Sequence, residues 1–201
     1  MVAGTEGYDR FIPLFIQASQ SLDFIEACAD FIPFLPPEPA RVLDIGSGAG
    51  QNASALAEMG FNVTAVEPMQ AFLDAAKNTY QNVPVRWFKD CLPHLDCLAC
   101  ESDKFDFILI NSVWHHLDEI ECEQAIHRLS TIVKKGGKCA ISLRNGPAGM
   151  GTRVYPTDVE LTVRQFQEND FECLLILENQ PSILKSKDSV KWSKVVVRKC
   201  E

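Results

Sequence analysis

A cluster of three glycines, Gly46, Gly48 and Gly50, most constrains what this chain can fold into. The cluster follows the apolar run VLDI and precedes NASALAEMG, which has the spacing of a short helix. Glycine adopts positive φ angles and lets the main chain approach a ligand closely, and the free N–H groups at a helix start attract anions. A strand that turns this tightly into a helix predicts an α/β unit with a ligand site at the turn.

Strand-like and helix-like segments alternate along most of the chain. The runs RVLDI, NVTAVE, VRWFK, KFDFILIN and KCAISLR are mostly apolar, which is typical of strands that helices cover on both faces. This alternation predicts a doubly wound, Rossmann-like α/β fold with a mostly parallel sheet. ECLLILEN and SVKWSKVVVRK follow closely enough to form an antiparallel pair, giving seven strands. DEIECEQAIHRLSTIVKKGG is predicted as one helix that ends at its glycines.

We predict a single domain over residues 1–201, because no repeat, low-complexity segment or long linker divides the chain. Residues 1–39 contain an amphipathic stretch that ends in the proline-rich PFLPPEP. This region is expected to form a helical cap ahead of the first strand.

Composition argues against several classes of function. The net charge of −8 disfavours nucleic-acid binding through broad phosphate contact, which needs a basic surface. No apolar stretch is long enough to span a bilayer, and the first ten residues do not resemble a secretory signal. Eight cysteines without an export signal indicate reduced thiols, so we expect a cytoplasmic protein.

Glu67 stands at the end of the second predicted strand. Ligands of open α/β sheets bind at the carboxyl ends of the strands, where an acidic residue at this position accepts hydrogen bonds from both hydroxyls of a ribose. The glycine turn and Glu67 together predict a nucleoside pocket; the alternative is a tight turn beside an unrelated exposed glutamate. A dinucleotide fingerprint would have its third glycine where this chain has Gln51.

The segment DIGSGAG, with Asp44 two residues before the first glycine, resembles motif I of class I S-adenosylmethionine-dependent methyltransferases. AVEP, FKDCLP, FDFILINSVWHHL and KKGGKCAISLRNGP are similar to further motifs of that family, so the resemblance covers most of the chain. A closing antiparallel strand pair is also a feature of the family. The resemblance implies an enzyme, a methyltransferase, with S-adenosylmethionine as its cofactor.

The resemblance implies a role for each residue of the glycine turn. Asp44 would hold the ammonium of the cofactor's amino-acid part, directly or through water. Gly46, Ser47 and Gly48 would lie against that part, and Glu67 would accept from the ribose hydroxyls.

Further residues match the family's adenine site. Pro68 and Met69 would flank the adenine ring. Asp90 would accept a hydrogen bond from the adenine amino group, and the main-chain N–H of Cys91 would donate to a ring nitrogen.

The end of the fourth predicted strand would face the reacting methyl group. Asn111 and Ser112 are expected beside the sulfonium and the methionine part of the cofactor. His116, in WHHL, is the candidate catalytic base, which is needed only if the acceptor atom carries a proton. The alternative is that His115 and His116 merely open a helix, solvated or bonded to the main chain.

Cys91, His94, Cys97 and Cys100 recur at every third position of CLPHLDCLAC, a spacing that suggests zinc. In a helix, steps of three advance by about 300° each, so the first and last side chains would lie on opposite faces. Zinc sites usually join two separate pairs of ligands, and no second pair follows. We therefore predict no metal.

The acidic charge and the lack of an added recognition domain favour a small-molecule acceptor. Arg144, in RNGPAGMGTRVYP, is the candidate substrate-binding residue, and Arg153 lies on the same segment. A guanidinium group suits a carboxylate or phosphate, so an anionic acceptor is predicted. Surface ion pairs are the alternative for both arginines. The alternative functions are methylation of a protein side chain and cofactor binding without catalysis.

Overall fold

The computed structural model describes residues 4–98, 104–183 and 188–201. Within them, seven strands form one sheet in the order β3-β2-β1-β4-β5-β7-β6. The strands β1 to β5 run parallel, and β7 is antiparallel to both β5 and β6. The predicted Rossmann-like sheet with its antiparallel C-terminal pair is confirmed. Its strands are β1 (Arg41–Ile45), β2 (Asn62–Val66), β3 (Val85–Phe88), β4 (Phe105–Ile110), β5 (Val133–Asn145), β6 (Phe171–Pro181) and β7 (Lys191–Lys199).

Helices cover both faces of this sheet, and each face buries its own apolar cluster. Along β4, Ile108 and Ile110 belong to the cluster under α5 (Glu119–Ile132) and α6 (Val159–Gln167). Phe107 and Leu109 belong to the cluster under α2 (Phe24–Ala27) and α3 (Gln51–Glu58). This alternation explains why the strand sequence is apolar throughout. None of the helices in the described ranges has both the length and the apolar character needed to cross a membrane. The helices are α1 (Ile12–Gln20), α2 (Phe24–Ala27), α3 (Gln51–Glu58), α4 (Gln70–Thr79), α5 (Glu119–Ile132) and α6 (Val159–Gln167).

One helix boundary differs from the sequence prediction. The helix predicted through VKKGG ends at Ile132, and Val133 already begins β5. Val133 pairs with Phe105 and Lys138 pairs with Phe107, so β5 bulges between these pairs. Gly136 allows this bulge with a φ of +75°. The sequence could not show the boundary, because the partner strand that requires it lies elsewhere in the chain.

The N-terminal region has helical structure in short pieces. A 3-10 turn at Tyr8–Phe11 leads into α1, and α2 is followed by a second 3-10 turn at Ile32–Phe34. The division of the chain into a cap of residues 1–39 within one domain of residues 1–201 stays a prediction.

Candidate functional site

A cavity of about 330 Å³ opens at the carboxyl ends of the parallel strands, and its lining falls into two halves. We define the glycine half by residues 45–48, 67–69 and 91, which follow β1, β2 and β3. We define the arginine half by Tyr8, His116, Arg144, Trp192 and Lys194. Asn111 and Ser112, after β4, also line the cavity.

The glycine half begins with a turn that only glycine tolerates. Gly46 has a φ of +70° and Gly48 a φ of +54°. A Cβ atom on Gly46 would lie 2.3 Å from Cγ2 of Val113. The N–H groups of Gly46 and Ser47 donate to the carbonyl of Val66, at 2.9 and 3.0 Å. The turn is thereby fixed to the end of β2 and held close to the chain after β4.

Glu67 is buried, and its carboxylate is oriented by the main chain. Its Oε2 accepts from the N–H of Gly48 at 3.0 Å, and its Oε1 accepts from the N–H of Met69 at 2.8 Å. Burial raises the pKa of Glu67 above its ordinary value, although these two hydrogen bonds oppose the rise. Each carboxylate oxygen has a second lone pair, so both can accept another hydrogen bond from a ligand.

Asp44, directly before the glycine half, provides a second buried carboxylate, but it is not among the described residues that line the cavity. Its Oδ2, and the Oγ of Ser47, are buried and have no hydrogen-bond partner among the described residues. Burial raises the pKa of Asp44, and the neighbouring charge of Glu67 raises it further. A buried oxygen without a partner is destabilising, and an ammonium group at this point would remove that destabilisation.

Only some of the residues predicted to bind adenine line the cavity. Pro68, Met69 and Cys91 line the cavity, whereas Asp90 is not among the described lining residues. Asp90 accepts from the N–H of Cys91 at 2.8 Å and from the N–H of Cys97 at 2.7 Å. It therefore shapes the turn that carries Cys91, and its contact with a ligand stays a prediction.

Within the CLPHLDCLAC segment, residues 91–98 form turns and a short 3-10 helix at Asp96–Leu98. In the part of the chain that the structure describes, no three His, Cys, Asp or Glu side chains are grouped as a metal ion would require. Cys100, the last of the four spaced residues, lies outside the described residues.

A hydrogen-bonded group joins the two halves of the cavity. The hydroxyl of Ser142, on β5, donates to Oδ1 of Asn111 at 2.9 Å and accepts from the N–H of Ser112 at 2.7 Å. Ser112 has a φ of +64°, which turns the chain sharply after β4. Sequence reasoning missed Ser142, although its position two residues before Arg144 places both on one face of a strand.

The arginine half is built by the pairing of β5 with β7. In this antiparallel register Ser142 stands opposite Lys194, and Arg144 stands opposite Trp192. Residues opposite each other point to the same face, and all four side chains line the cavity. Sequence reasoning also missed Trp192 and Lys194, because no signal in the sequence reveals the register.

Arg144 is a buried cation whose hydrogen bonds go to neutral groups. Its guanidinium donates to the carbonyl of Gly146 at 3.4 Å and to that of Pro147 at 2.5 Å. Among the described residues it forms no ion pair, whereas Lys194 pairs with Asp30 at 2.7 Å. Burial lowers the pKa of Arg144, which reflects the unfavourable environment of its charge. An anion bound beside Arg144 would offset this unfavourable burial.

Arg153, also considered as an anion anchor, is engaged elsewhere. Its guanidinium contacts Oε2 of Glu121 at 2.9 Å and Oδ2 of Asp118 at 3.4 Å. Asp118 and Glu121 form the capping box at the start of α5. Arg153 thus has the ion-pair role that was the alternative for both arginines, and it fastens the segment after β5 to α5.

His116 lies in the cavity wall as the candidate base. It is 8% exposed, its Nδ1 lies 2.6 Å from the carbonyl oxygen of Arg153, and its Nε2 lies 3.2 Å from the hydroxyl of Tyr8. Burial lowers its pKa, so the neutral form dominates near pH 7. Tyr8 belongs to the N-terminal region, residues 1–39, which was expected to form a helical cap.

Comparison with known proteins identifies related chains. Residues 20–174 match a family described as a methyltransferase domain. An uncharacterized methyltransferase of Mycobacterium bovis is 34% identical over 113 residues, which is 52% of this chain and 54% of that protein. The chain spans about half the length of the curated relatives it matches.

Solved structures share the fold at lower identity. The magnesium protoporphyrin IX methyltransferase of Synechocystis, with bound S-adenosylmethionine, has a TM-score of 0.69 at 16% identity, covering 98% of this chain and 92% of that chain. The 1,6-didemethyltoxoflavin-N1-methyltransferase of Burkholderia thailandensis has a TM-score of 0.70 at 18% identity, covering 100% and 92%. The family match extends over more than half of the chain and agrees with the motifs and the sheet order. The chain therefore belongs to the methyltransferase domain family, as its resemblance to class I S-adenosylmethionine-dependent methyltransferases predicted.

Proposed function

We propose that this protein transfers the methyl group of S-adenosylmethionine to a small anionic molecule. The observation that carries the cofactor assignment is the carboxylate of Glu67, oriented by the N–H groups of Gly48 and Met69 beside the glycine turn. Membership of the methyltransferase domain family supports the same cofactor. So does the Synechocystis neighbour, whose structure contains S-adenosylmethionine.

The residues of the glycine half fit the parts of this cofactor. The free lone pairs of Glu67 would accept from the ribose hydroxyls. The unpartnered Oδ2 of Asp44 suits the ammonium group, with Gly46, Ser47 and Gly48 against the amino-acid part.

The remaining predicted contacts extend to both ends of the cofactor. Pro68 and Met69, which line the cavity, would flank the adenine. For the side chain of Asp90 and the N–H of Cys91 to bind its polar edge, the hydrogen bond that joins them at 2.8 Å would have to open. Asn111 and Ser112, held by Ser142, would face the sulfonium. When bound, the cofactor supplies a methyl group activated by a positively charged sulfur, so the protein's tasks are placement and exclusion of water.

The arginine half supports a small anionic acceptor. The arginine half belongs to the same cavity as the glycine half, so an acceptor bound there would lie beside the cofactor. The Burkholderia thailandensis neighbour contains 1,6-didemethyltoxoflavin, a small molecule. The buried charge of Arg144, without a carboxylate partner among the described residues, would be neutralised by a carboxylate or phosphate of the acceptor. His116 is the residue that we assign to accept a proton from the acceptor.

Calorimetry tests the cofactor site. The purified protein should bind S-adenosylmethionine and S-adenosylhomocysteine in preference to NAD. Glu67→Ala should weaken this binding by about 1.5–3 kcal/mol, the scale for hydrogen bonds to a charged group. Glu58→Ala, at the exposed end of α3, is the matched control and should bind as the wild type does. Absent binding, or equal binding by the Glu67 and Glu58 variants, would refute the cofactor assignment.

A screen with labelled cofactor tests the acceptor site. Metabolite extracts incubated with methyl-labelled S-adenosylmethionine and the protein, then analysed by mass spectrometry, should yield a methylated anion. Arg144→Met should lower kcat/KM for that acceptor by about 1.5–3 kcal/mol, more than tenfold, with cofactor affinity intact. Arg164→Met, exposed on α6, is the control. A neutral or cationic acceptor, or unchanged kinetics of the Arg144 variant, would remove the anion site.

A further inference from the structure

The two ring nitrogens of His116 have different partners, which together define its protonation. A carbonyl oxygen can only accept, so the 2.6 Å contact with the carbonyl of Arg153 places a proton on Nδ1. Because neutral histidine carries one ring proton, Nε2 has a free lone pair. The hydroxyl of Tyr8, 3.2 Å away, therefore donates to Nε2.

Tyr8 is held in place by aromatic and main-chain neighbours. Its ring meets Phe15 edge-on, with centroids 5.3 Å apart, and Phe72 at 6.1 Å. A Cβ atom on Gly151 would lie 2.4 Å from the Tyr8 ring and 3.0 Å from Cε1 of His116. The segment after β5 thus packs directly over both side chains, and only glycine fits at that point.

The hydroxyl of Tyr8 is hydrogen-bonded to the ring nitrogen through which His116 would act as a base. Both Tyr8 and His116 line the cavity, but the Tyr8 hydroxyl already occupies the lone pair of Nε2. A proton that leaves an acceptor in the cavity consequently reaches Nε2 through that hydroxyl.

We propose that Tyr8 and His116 form a proton relay, and that the methylated atom is a hydroxyl oxygen or an N–H nitrogen on the anionic acceptor. Tyr8 takes the acceptor's proton on Oη and passes its own proton to Nε2, while the acceptor's lone pair bonds to the methyl carbon and the C–S electron pair stays on sulfur. The products are the methylated acceptor, a neutral thioether and a protonated His116. His116 then returns its proton to solvent through Tyr8. The relay rests on the proposed function and deepens it.

The electrostatics of the pair suit a coupled transfer. Burial and the charge of Glu67 raise the pKa of Tyr8 to about 12, so a free phenolate would not persist and the two proton shifts occur together. Burial is the largest cause that lowers the pKa of His116, and the charges of Arg144 and Arg153 lower it further. The hydrogen bond to the Arg153 carbonyl and the charge of Glu6 act in the opposite direction and raise it. The His115 ring, with its centroid 4.2 Å from that of His116, is a further titratable neighbour. His116 is consequently neutral and able to accept a proton at pH 7.

Arg153 is a positioning residue of this relay. Its main-chain carbonyl fixes the proton on Nδ1, and its guanidinium also donates to the carbonyl of His116 at 2.8 Å. The ion pairs with Glu121 and Asp118 hold this arrangement on the start of α5.

Nitrogen NMR tests the relay without an acceptor. In protein labelled with ¹⁵N-histidine and bound to S-adenosylhomocysteine, His116 should carry its proton on Nδ1 at neutral pH, with His116→Gln identifying its resonances. Tyr8→Phe should shift the Nε2 resonance, whereas Tyr80→Phe, at the end of α4, should leave it unchanged. A proton on Nε2, or an Nε2 resonance that Tyr8→Phe does not move, would overturn the relay.

Kinetics with the acceptor from the labelled-cofactor screen provide a second test. Tyr8→Phe and His116→Gln should each lower kcat by about 100-fold or more, the scale of acid–base catalysis, with the S-adenosylhomocysteine Kd within twofold of wild type. The double variant should lose no more than the His116 variant, because the two residues act as one unit. The relay would be refuted if the double variant lost the product of the two single losses, or if Tyr8→Phe had a normal kcat. Either result would leave the proposed function standing. Failure of the wild type to bind the cofactor would instead refute the proposed function.

Discussion

The two halves of the cavity are built in different ways. The glycine half comes from turns that directly follow β1, β2 and β3. The main-chain N–H groups of Gly48 and Met69 orient the carboxylate of Glu67 within it. The arginine half brings together Tyr8, His116, Arg144 and Trp192 from distant parts of the sequence, and its geometry depends on strand register and side-chain contacts. Turns can therefore be predicted from a sequence, and so can single residues such as His116 and Arg144, whereas the contacts that long-range pairing creates cannot.

The largest expected effect comes from altering the glycine turn at Gly46, on which the difference between the two halves depends. Gly46→Ala should lower the free energy of unfolding by about 2–5 kcal/mol, because a left-handed conformation is unfavourable for alanine and its Cβ would lie 2.3 Å from Val113. Gly136→Ala is the control: its φ is +75°, but a Cβ there meets nothing within 4 Å. It should lose only about 1–2 kcal/mol. Equal losses in urea unfolding would show that the turn tolerates a side chain.

The two halves should respond to pH with opposite signs. The raised pKa of Asp44 means that the folded state holds a proton that the unfolded state has released, so its contribution to stability is lost as pH rises from about 4 through the raised pKa. The lowered pKa of His116 means the reverse: its contribution is lost as pH falls below about 6.5. Each proton changes the free energy of unfolding by at most about 1.4 kcal/mol per pH unit.

Variants separate these two contributions. Urea unfolding of the unliganded protein between about pH 5 and 7 should give a more positive slope of stability with pH for Asp44→Asn than for wild type. The slope should be more negative for His116→Gln. Slopes that shift in the same direction in both variants would contradict the assigned pKa changes.

The smallest expected effect concerns the contact between the segment after β5 and α5. Arg153→Met removes partly exposed ion pairs with Glu121 and Asp118, so it should lower the free energy of unfolding by about 1 kcal/mol. The Kd for S-adenosylmethionine should stay within twofold, because the glycine half is built independently. Arg164→Met, exposed on α6, is the control. A weakened cofactor affinity without loss of stability would show that the halves are coupled through Arg153.

The sequence predicted those features whose causes are local. The Rossmann-like fold class was predicted from the apolar periodicity of the strands. The position of Glu67 in the site was predicted from the glycine turn and the end of the second strand. The predicted end of α5 was wrong because Val133 pairs with Phe105 and so belongs to β5. A helical pattern in the sequence cannot show this pairing. Trp192 was missed because its place opposite Arg144 exists only once β5 and β7 pair. The hydrogen bond from Tyr8 to His116 likewise joins residues 108 positions apart.

The place of β7 between β5 and β6 also matters for the biogenesis of the protein. On a ribosome, the parallel strands and β6 emerge before β7, so the sheet can form around the glycine half while β5 still has an open edge. Such an edge presents unpaired N–H and C=O groups that invite pairing with other chains. Because Trp192 and Lys194 arrive with β7, the arginine half of the cavity is completed last. A nascent chain can thus have its glycine turn in place before the arginine half is complete.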